Sequence, residues 1–265
     1  MIALGWIDLA LASLLLVLNG ALSFAFSLGL ERKLAIAAIR MIIQLMLVGL
    51  VLTWLFASGS PLWTALAAFV MLAVAGYEVM SRQTRQFAGL WSYGIGAATM
   101  TLVAIMVTVL ALTTQINPTP WWSPQYAIPI LGMILGNTMT GVSLGLEGFT
   151  TAAVRDRSAI EARLALGETR WVAIRIAMLP ALRSGFIPII NAMAAAGIVS
   201  LPGMMTGQIL AGAPPTEAVK YQLLIMFLIA GATGLGVVMA VGLGARRLTD
   251  ERHRLRLDRL RSTSG

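Results

Sequence analysis

The chain has 265 residues, of which 58% are hydrophobic and only 11% are charged, and its net charge is +8. Soluble domains are about 25% charged, so this composition excludes an ordinary soluble domain and indicates a polytopic, all-α membrane protein. The chain has no cysteine and one histidine, which excludes disulfides and thiolate or histidine-rich metal sites. The positive charge is typical of cytoplasmic loops rather than of nucleic-acid binding.

Uncharged apolar runs predict seven transmembrane helices, since one span needs roughly 20 apolar residues. Two of these runs are too long for one span and are broken by stretches rich in Gly, Ser and Pro at 57–61 and 115–124. No Lys or Arg precedes the first charge, Asp8, so we expect the first run to be retained rather than cleaved as a signal peptide. The predicted spans are 6–29, 34–56, 62–80, 91–114, 125–147, 184–216 and 221–245.

Connections rich in Lys and Arg alternate along the chain with connections that have few or none. This alternation predicts an N-terminus outside and a C-terminus in the cytoplasm. We expect one permease domain over 1–245, with its longest cytoplasmic loop at 148–183, and a basic tail at 246–265. The tail is expected to form a short helix, either solvated or against anionic lipid headgroups. Aromatic residues typical of a membrane interface cluster on the outer side: Trp54, Trp63, Trp121, Trp122 and Tyr126.

The long cytoplasmic loop contains an unusually charged amphipathic stretch, 161–180. Ser158 and Glu161 have the spacing of a capping box, and Gly167 suits the left-handed position after a helix, so we expect a helix of about eight residues between them. A second helix, about 169–179, would carry Trp171 on its apolar stripe and end or kink at Pro180. A helix this short is marginal in water, so it either packs on its own protein or docks into a partner.

This stretch resembles the cytoplasmic loop of ABC-transporter permeases, which opens with Glu-Ala-Ala, has a Gly six residues after the Glu, and ends in Leu-Pro. Arg163 and Ala177 depart from that pattern, in place of the second Ala and of an Ile. The resemblance implies that the loop fits a groove on an ATPase subunit. The residues expected to carry this coupling are Ser158, Glu161, Ala162, Arg163, Leu164, Gly167, Trp171, Leu179 and Pro180.

Two further stretches, "MILGNTMTG" at 133–141 and "GIVSLPGMMTGQILAGAPP" at 197–215, resemble the FetB family of putative iron-export permeases, which includes plant relatives tied to aluminium tolerance. The resemblance implies a bacterial inner-membrane permease, in which two permeases assemble with two ATPases. The chain has no G-x-x-x-x-G-K-[ST]. We therefore expect no cofactor on this chain, no enzyme activity of its own, and ATP and Mg on the partner.

Several intramembrane polar or kinked positions are candidates for a transport path, because such residues are costly in lipid. The alternative for most of them is helix packing. Helix 6 is expected to break at depth at Pro202 and Gly203. The candidates are Arg40, Gln44, Asn137, Thr138, Thr140, Asn191, Ser200, Pro202, Gly203, Thr206 and Gln208.

Glu78 and Glu147 lie toward cytoplasmic helix ends, where a cation could be admitted or where each carboxylate could simply be held by a nearby Arg. The residues alone support iron only weakly, so the metal depends on the resemblance. An ABC permease for a small organic solute such as a nucleotide sugar, a carrier or channel that works without ATP, and a membrane scaffold remain open.

Overall fold

The computed structural model describes residues 5–262. The chain divides into two compact units, of which the first ends at Gly59 and the second begins at Ser60. Within the described residues, seven helices are long and apolar enough to cross a membrane, which confirms the predicted all-α, seven-span class. They are Trp6–Ala25, Glu31–Ser58, Pro61–Ser81, Trp91–Ile116, Pro124–Arg155, Arg175–Ala195 and Pro215–Leu248.

Unit one is a pair of apolar helices, α1 (Trp6–Ala25) and α2 (Glu31–Ser58). The turn between them is held by Ser23, whose hydroxyl oxygen accepts a bond from Leu30 N–H at 3.0 Å and donates to Glu31 Oε2 at 3.0 Å. Because the buried Ser23 closes the turn early, α1 ends before the predicted residue 29 and α2 begins before 34.

Unit two contains the other helices and two short strands. Its elements are α3 (Pro61–Ser81), β1 (Arg85–Phe87), α4 (Trp91–Leu110) with a π-helical continuation (Ala111–Ile116), α5 (Pro124–Arg155), α6 (Arg157–Ala165), α7 (Arg170–Ala173), α8 (Arg175–Ala195), α9 (Gly203–Leu210), α10 (Pro215–Leu248) and β2 (Leu260–Ser262). One end of this unit holds Trp63, Trp121 and Trp122 and is named the tryptophan end; the other holds Arg82, Arg155 and Arg246 and is named the basic end.

The core of unit two is the crossing of α5, α8 and α10, where small residues let the backbones approach closely. A methyl group on Gly185 would lie 2.5 Å from a Val237 methyl carbon, and one on Gly141 would lie 2.7 Å from the Thr233 methyl carbon. Such distances leave no room for a side chain. The glycines therefore fix how the three helices cross.

The two helices that flank the long basic-end connection extend further than the apolar pattern predicts. α5 continues past residue 147 to Arg155, and α8 begins at Arg175, so the predicted loop 148–183 includes the ends of both helices. The second helix was expected to end or kink at Pro180. It does not end there, because α8 runs through Pro180 to Ala195. The adjacent Ala177 and Ala181 are fully buried, and this packing offsets the hydrogen bond that Pro180 cannot make.

The sixth span was predicted to run over 184–216 with a break at Pro202. This prediction is wrong. α8 ends at Ala195, after 21 residues, which is about one bilayer thickness. The chain then turns at Gly197, with φ of 87°, forms α9, and turns again at Gly212, with φ of 96°. The break therefore follows a complete span instead of interrupting one.

The basic tail forms a hairpin and a strand, so the predicted tail helix is wrong. Thr249 and Leu255 form an antiparallel bridge, and β2 pairs antiparallel with β1. The Asp250 carboxylate holds the turn by accepting the N–H groups of Arg252 and Arg254, both at 3.0 Å. The tail folds back instead of forming a helix because it packs apolar side chains against the helix core. These side chains are Leu255, Leu257 and Leu260.

Candidate functional site

The first short helix of the basic end, α6, begins differently from the predicted capping box. Asp156 is the residue before its first turn, and Ser158 lies inside the helix. Glu161 pairs with Arg157 one turn earlier, at 2.8 Å between Nε and Oε1, instead of reaching back to the backbone. The prediction fails because α5 continues to Arg155, whose guanidinium bonds the Asp156 carboxylate at 2.9 Å and lowers the pKa of Asp156.

The end of α6 has the predicted left-handed glycine. Gly167 has φ of 90°, its N–H donates to Leu164 O at 3.1 Å, and Glu168 N–H donates to Arg163 O at 3.1 Å. These are the two bonds of a Schellman motif. The motif turns the chain sharply from α6 toward α7.

The connection from 156 to 174, named the α6–α7 segment, carries both buried apolar anchors and exposed apolar side chains. Ile160 and Ile174 are fully buried and hold the segment on the helix core. Leu166 is 84% exposed, and Trp171 and Val172 are about half exposed. Trp171 therefore does not share the buried face of Ile174, as a continuous helix over 169–179 would require. Glu161 and Ala162 are also exposed on α6.

Three of the predicted coupling residues meet in a groove beside the α6–α7 segment. Arg163, Leu179 and Pro180 line a cavity of about 350 Å³ together with Arg175 and Arg183. The Arg163 guanidinium lies 3.7 Å from the Glu168 carboxylate. The structure thus brings the third position of the loop pattern next to its last two positions, which follow 16 and 17 residues later in the sequence.

A contact that the sequence did not predict ties the tail to this segment. The Arg170 N–H at the start of α7 donates to His253 Nδ1 of the tail hairpin at 3.0 Å. The two residues are 83 positions apart, and no local pattern relates them.

The predicted transport residues fall into separate groups. Asn137, Thr140 and Asn191 are exposed or partly exposed on α5 and α8, where Asn137 Nδ2 donates to Met133 O at 2.8 Å. Thr138 is instead fully buried where α5 crosses α10 beside Gly236, and its hydroxyl has no hydrogen-bond partner among the described residues.

The second group of predicted transport residues lies at the tryptophan end, around α9. Pro202 precedes α9, Gly203 begins it, and the Thr206 hydroxyl donates to Pro202 O at 3.2 Å. Gln208 is partly buried, and Ser200 is exposed before the helix. Arg40 and Gln44 lie one turn apart on α2 of unit one.

The carboxylates considered for cation admission hold helix ends. Glu147 Oε2 accepts Thr84 N–H at 2.8 Å and its Oε1 accepts the Thr151 hydroxyl at 3.3 Å, while Glu78 lies 3.8 Å from Arg82. Within residues 5–262, no group of three or more His, Cys, Asp or Glu side chains could hold a metal ion.

Comparison with known proteins identifies the family. An uncharacterised protein family, UPF0014, matches residues 6–249. The UPF0014 membrane protein slr1647 of Synechocystis is 39% identical over 86% of this chain and 88% of its own length. The probable iron export permease protein FetB of Escherichia coli is 32% identical over 96% of each chain. The protein ALUMINUM SENSITIVE 3 of Arabidopsis thaliana is 31% identical over 86% of this chain and 81% of its own length.

No solved structure matches this chain. The predicted resemblance to FetB and to plant aluminium-tolerance proteins is confirmed by these relatives. The chain has seven helices that could span a membrane, and it matches a membrane protein over most of its length. It is therefore a multi-pass membrane protein that belongs to the UPF0014 family.

Proposed function

We propose that this chain is the permease subunit of an ABC-type exporter, whose ATP is hydrolysed with Mg on a separate subunit. The observation that carries the proposal is the exposure of three apolar side chains of the α6–α7 segment, Leu166, Trp171 and Val172, which together are named the docking surface. These side chains stand among the charges of Arg157, Glu161 and Arg163, in a segment too polar to lie in lipid.

A protein partner accounts for this surface better than solvent does. α6 has nine residues and would be marginal alone, yet Ile160 anchors it and the Gly167 motif fixes its exit. A rigid helix end that presents apolar side chains fits a groove on another protein. The resemblance of Glu161, Gly167 and Leu179-Pro180 to the permease loop, and the word permease in the name of the FetB relative, favour an ATPase as that partner.

The transport path we propose uses polar side chains that are exposed or partly exposed on α5 and α8, namely Asn137, Thr140 and Asn191. Polar groups that face lipid within a span are costly. A second copy of this chain would cover them and enclose the path, which gives a two-plus-two complex with the ATPases.

The substrate we propose is iron, and it rests on the name of the FetB relative. The oxygens of the exposed asparagine and threonine side chains suit a hard cation. We place the basic end in the cytoplasm of a bacterial inner membrane, following the distribution of Arg.

The docking role is tested by Leu166→Glu, which puts a charge where an apolar groove is expected. The matched control is Leu90→Glu, because Leu90 is 90% exposed at the same end and lies outside the α6–α7 segment. Tagged chains are purified from native membranes, and the copurified ATP-hydrolysing activity is measured. We expect Leu166→Glu to lower it about tenfold or more and Leu90→Glu to leave it within about twofold, since hot-spot truncations cost about 2 kcal/mol or more. Equal activity in the two variants contradicts the docking role.

A further inference from the structure

Six arginines surround one polar cavity of about 410 Å³ at the basic end. The cavity lies between the last turn of α10, the tail hairpin at 249–256 and the start of α7. The arginines are Arg170, Arg246, Arg252, Arg254, Arg256 and Arg259. Only two carboxylates, Asp250 and Glu251, share the lining with them.

Three of the six arginines have partners within the tail. Arg254 pairs with Asp250 at 2.8 Å, and Arg256 pairs with Asp258 through two bonds at 2.8 Å. The Arg256 guanidinium lowers the pKa of Asp258 to about 2, so this pair stays charged near neutral pH. Arg259 Nη1 donates to Arg247 O at 2.8 Å and so bonds the end of α10.

The other three arginines have no acidic partner within 4.0 Å among residues 5–262. Arg170 lies over the Trp171 ring, 5.6 Å from its centre, while Arg246 and Arg252 are exposed. Like charges gathered around one space repel each other, and a bound anion would relieve that repulsion.

The scaffold that presents these arginines is ordered by contacts of its own. Asp250 holds the hairpin turn, Arg256 N–H donates to Leu248 O at 2.8 Å, and the tail leucines are packed on the core. His253 ties the hairpin to Arg170, so α7 and the tail form the two sides of one cavity. These contacts fix the backbone from which the arginines extend before any ligand arrives.

We propose that this arginine cavity binds a phosphate group. The planar guanidinium fork matches phosphate oxygens, and one phosphate offers acceptors to several arginines at once. The position suits this chemistry, because Arg247 beside the cavity lies 4.8 Å above the ring of Trp91, and tryptophan favours the membrane interface, where lipid phosphates lie. The phosphate belongs either to an anionic lipid headgroup or to a soluble phosphate anion. Through Arg170, the bound group touches the segment that carries the docking surface.

The test compares two double variants of equal charge change in the purified full chain. Arg246→Gln with Arg252→Gln removes from the cavity two arginines that have no acidic partner within 4.0 Å among residues 5–262, while Arg261→Gln with Lys220→Gln removes two charges elsewhere. Arg252→Gln alone is the second cavity variant if the double variant does not give a single folded species. One arm measures inorganic pyrophosphate binding by calorimetry in phosphatidylcholine nanodiscs. The other arm counts phosphatidylglycerol molecules retained in native mass spectra from mixed nanodiscs.

We expect the cavity variant to weaken phosphate binding about tenfold or more in at least one arm, and the control to change it by less than about twofold. Loss in the pyrophosphate arm assigns the site to a soluble phosphate anion, and loss in the phosphatidylglycerol arm alone assigns it to a lipid headgroup. Equal binding by wild type and cavity variant in both arms overturns the proposal. So does loss of ATPase copurification in the cavity variant without any change in phosphate binding, since the cavity would then bind protein.

Discussion

Two short helices, α6 and α9, end in the same backbone motif but differ in the charge of their side chains. After α9, Gly212 N–H donates to Ile209 O at 2.9 Å and Ala213 N–H donates to Gln208 O at 3.0 Å, the same two bonds that follow α6. α6 carries arginine and glutamate around one buried anchor, Ile160, whereas α9 has no charge and no fully buried residue. The backbone motif determines where each helix ends. The charge of the side chains determines whether the helix suits an aqueous or an apolar environment.

The two helices lie at the two ends of α8. α6 and α7 precede α8 at the basic end, and α9 follows it at the tryptophan end. In the proposed exporter, the α6–α7 segment binds the ATPase at one end of α8, and α9, which carries the candidate transport residues Thr206 and Gln208, lies at the other end. α8 would then link the two functions.

The largest expected effect comes from the crossing that both ends share. Gly185→Ala would place a methyl group 2.5 Å from Val237, and overpacking of this kind costs about 1–3 kcal/mol. We expect a lower Tm in detergent and loss of both ATPase copurification and transport. Gly136→Ala is the control, since apart from neighbouring atoms of its own helix no atom of the described residues lies within 4 Å of the added carbon, and it should leave Tm unchanged. A Gly185→Ala variant with unchanged Tm would show that the crossing is not tightly packed.

A smaller and more selective effect is expected from the two turn glycines. Gly167→Val and Gly212→Val each force a β-branched residue to a left-handed φ, at a cost of about 1–2 kcal/mol. We expect Gly167→Val to reduce ATPase copurification severalfold, while Gly212→Val keeps the ATPase bound and slows transport. Copurified activity and flux in proteoliposomes measure the two effects. The division of roles between the ends fails if both variants lose the ATPase equally.

A local effect is expected where the tail meets α7. His253→Gly removes the acceptor of Arg170 N–H but suits the left-handed φ of 51° at this position. Loss of one such bond is worth about 1 kcal/mol, so the amides of Arg170–Ala173 should exchange hydrogen about fivefold faster, with α6 unchanged. Hydrogen-exchange mass spectrometry checks this, and unchanged exchange in α7 would mean that the hairpin does not hold it.

The smallest effect is expected from the ion pair on α6. Arg157→Gln breaks the bond to Glu161, but both side chains are about half exposed, and such pairs contribute about 0.5 kcal/mol or less. We expect a Tm within about 1 °C of wild type by thermal denaturation. A large loss of stability would mean that the pair, rather than Ile160, anchors α6.

The sequence was sufficient for features that depend on local pattern. The apolar runs predicted seven spans, and the glycine after the apolar periodicity of α6 predicted the left-handed turn. The capping box failed because its prediction ignored that α5 continues to Arg155 and sets the start of α6. Charge ends a membrane span, but it does not end a helix.

Features that depend on distant pairing were beyond local pattern. The tail leucines at 255 and 257 alternate with arginine, a strand-like pattern that the prediction of a tail helix did not use. The His253–Arg170 bond and the β1–β2 pair join positions that only the packed helices bring together. Both contacts hold the tail in the position that forms the arginine cavity, so no local sequence motif predicts the cavity.

The most direct measurement replaces Leu166, and separately Leu210 of α9, with a photo-crosslinking amino acid in the full chain. Both leucines are exposed, at the ends of the two helices that share the same turn motif. After illumination in native membranes, mass spectrometry identifies the captured chain. We expect position 166 to capture an ATP-binding-cassette ATPase and position 210 to capture none. Capture of no ATPase from position 166, or of the same ATPase from both positions, would contradict the proposed docking of the α6–α7 segment.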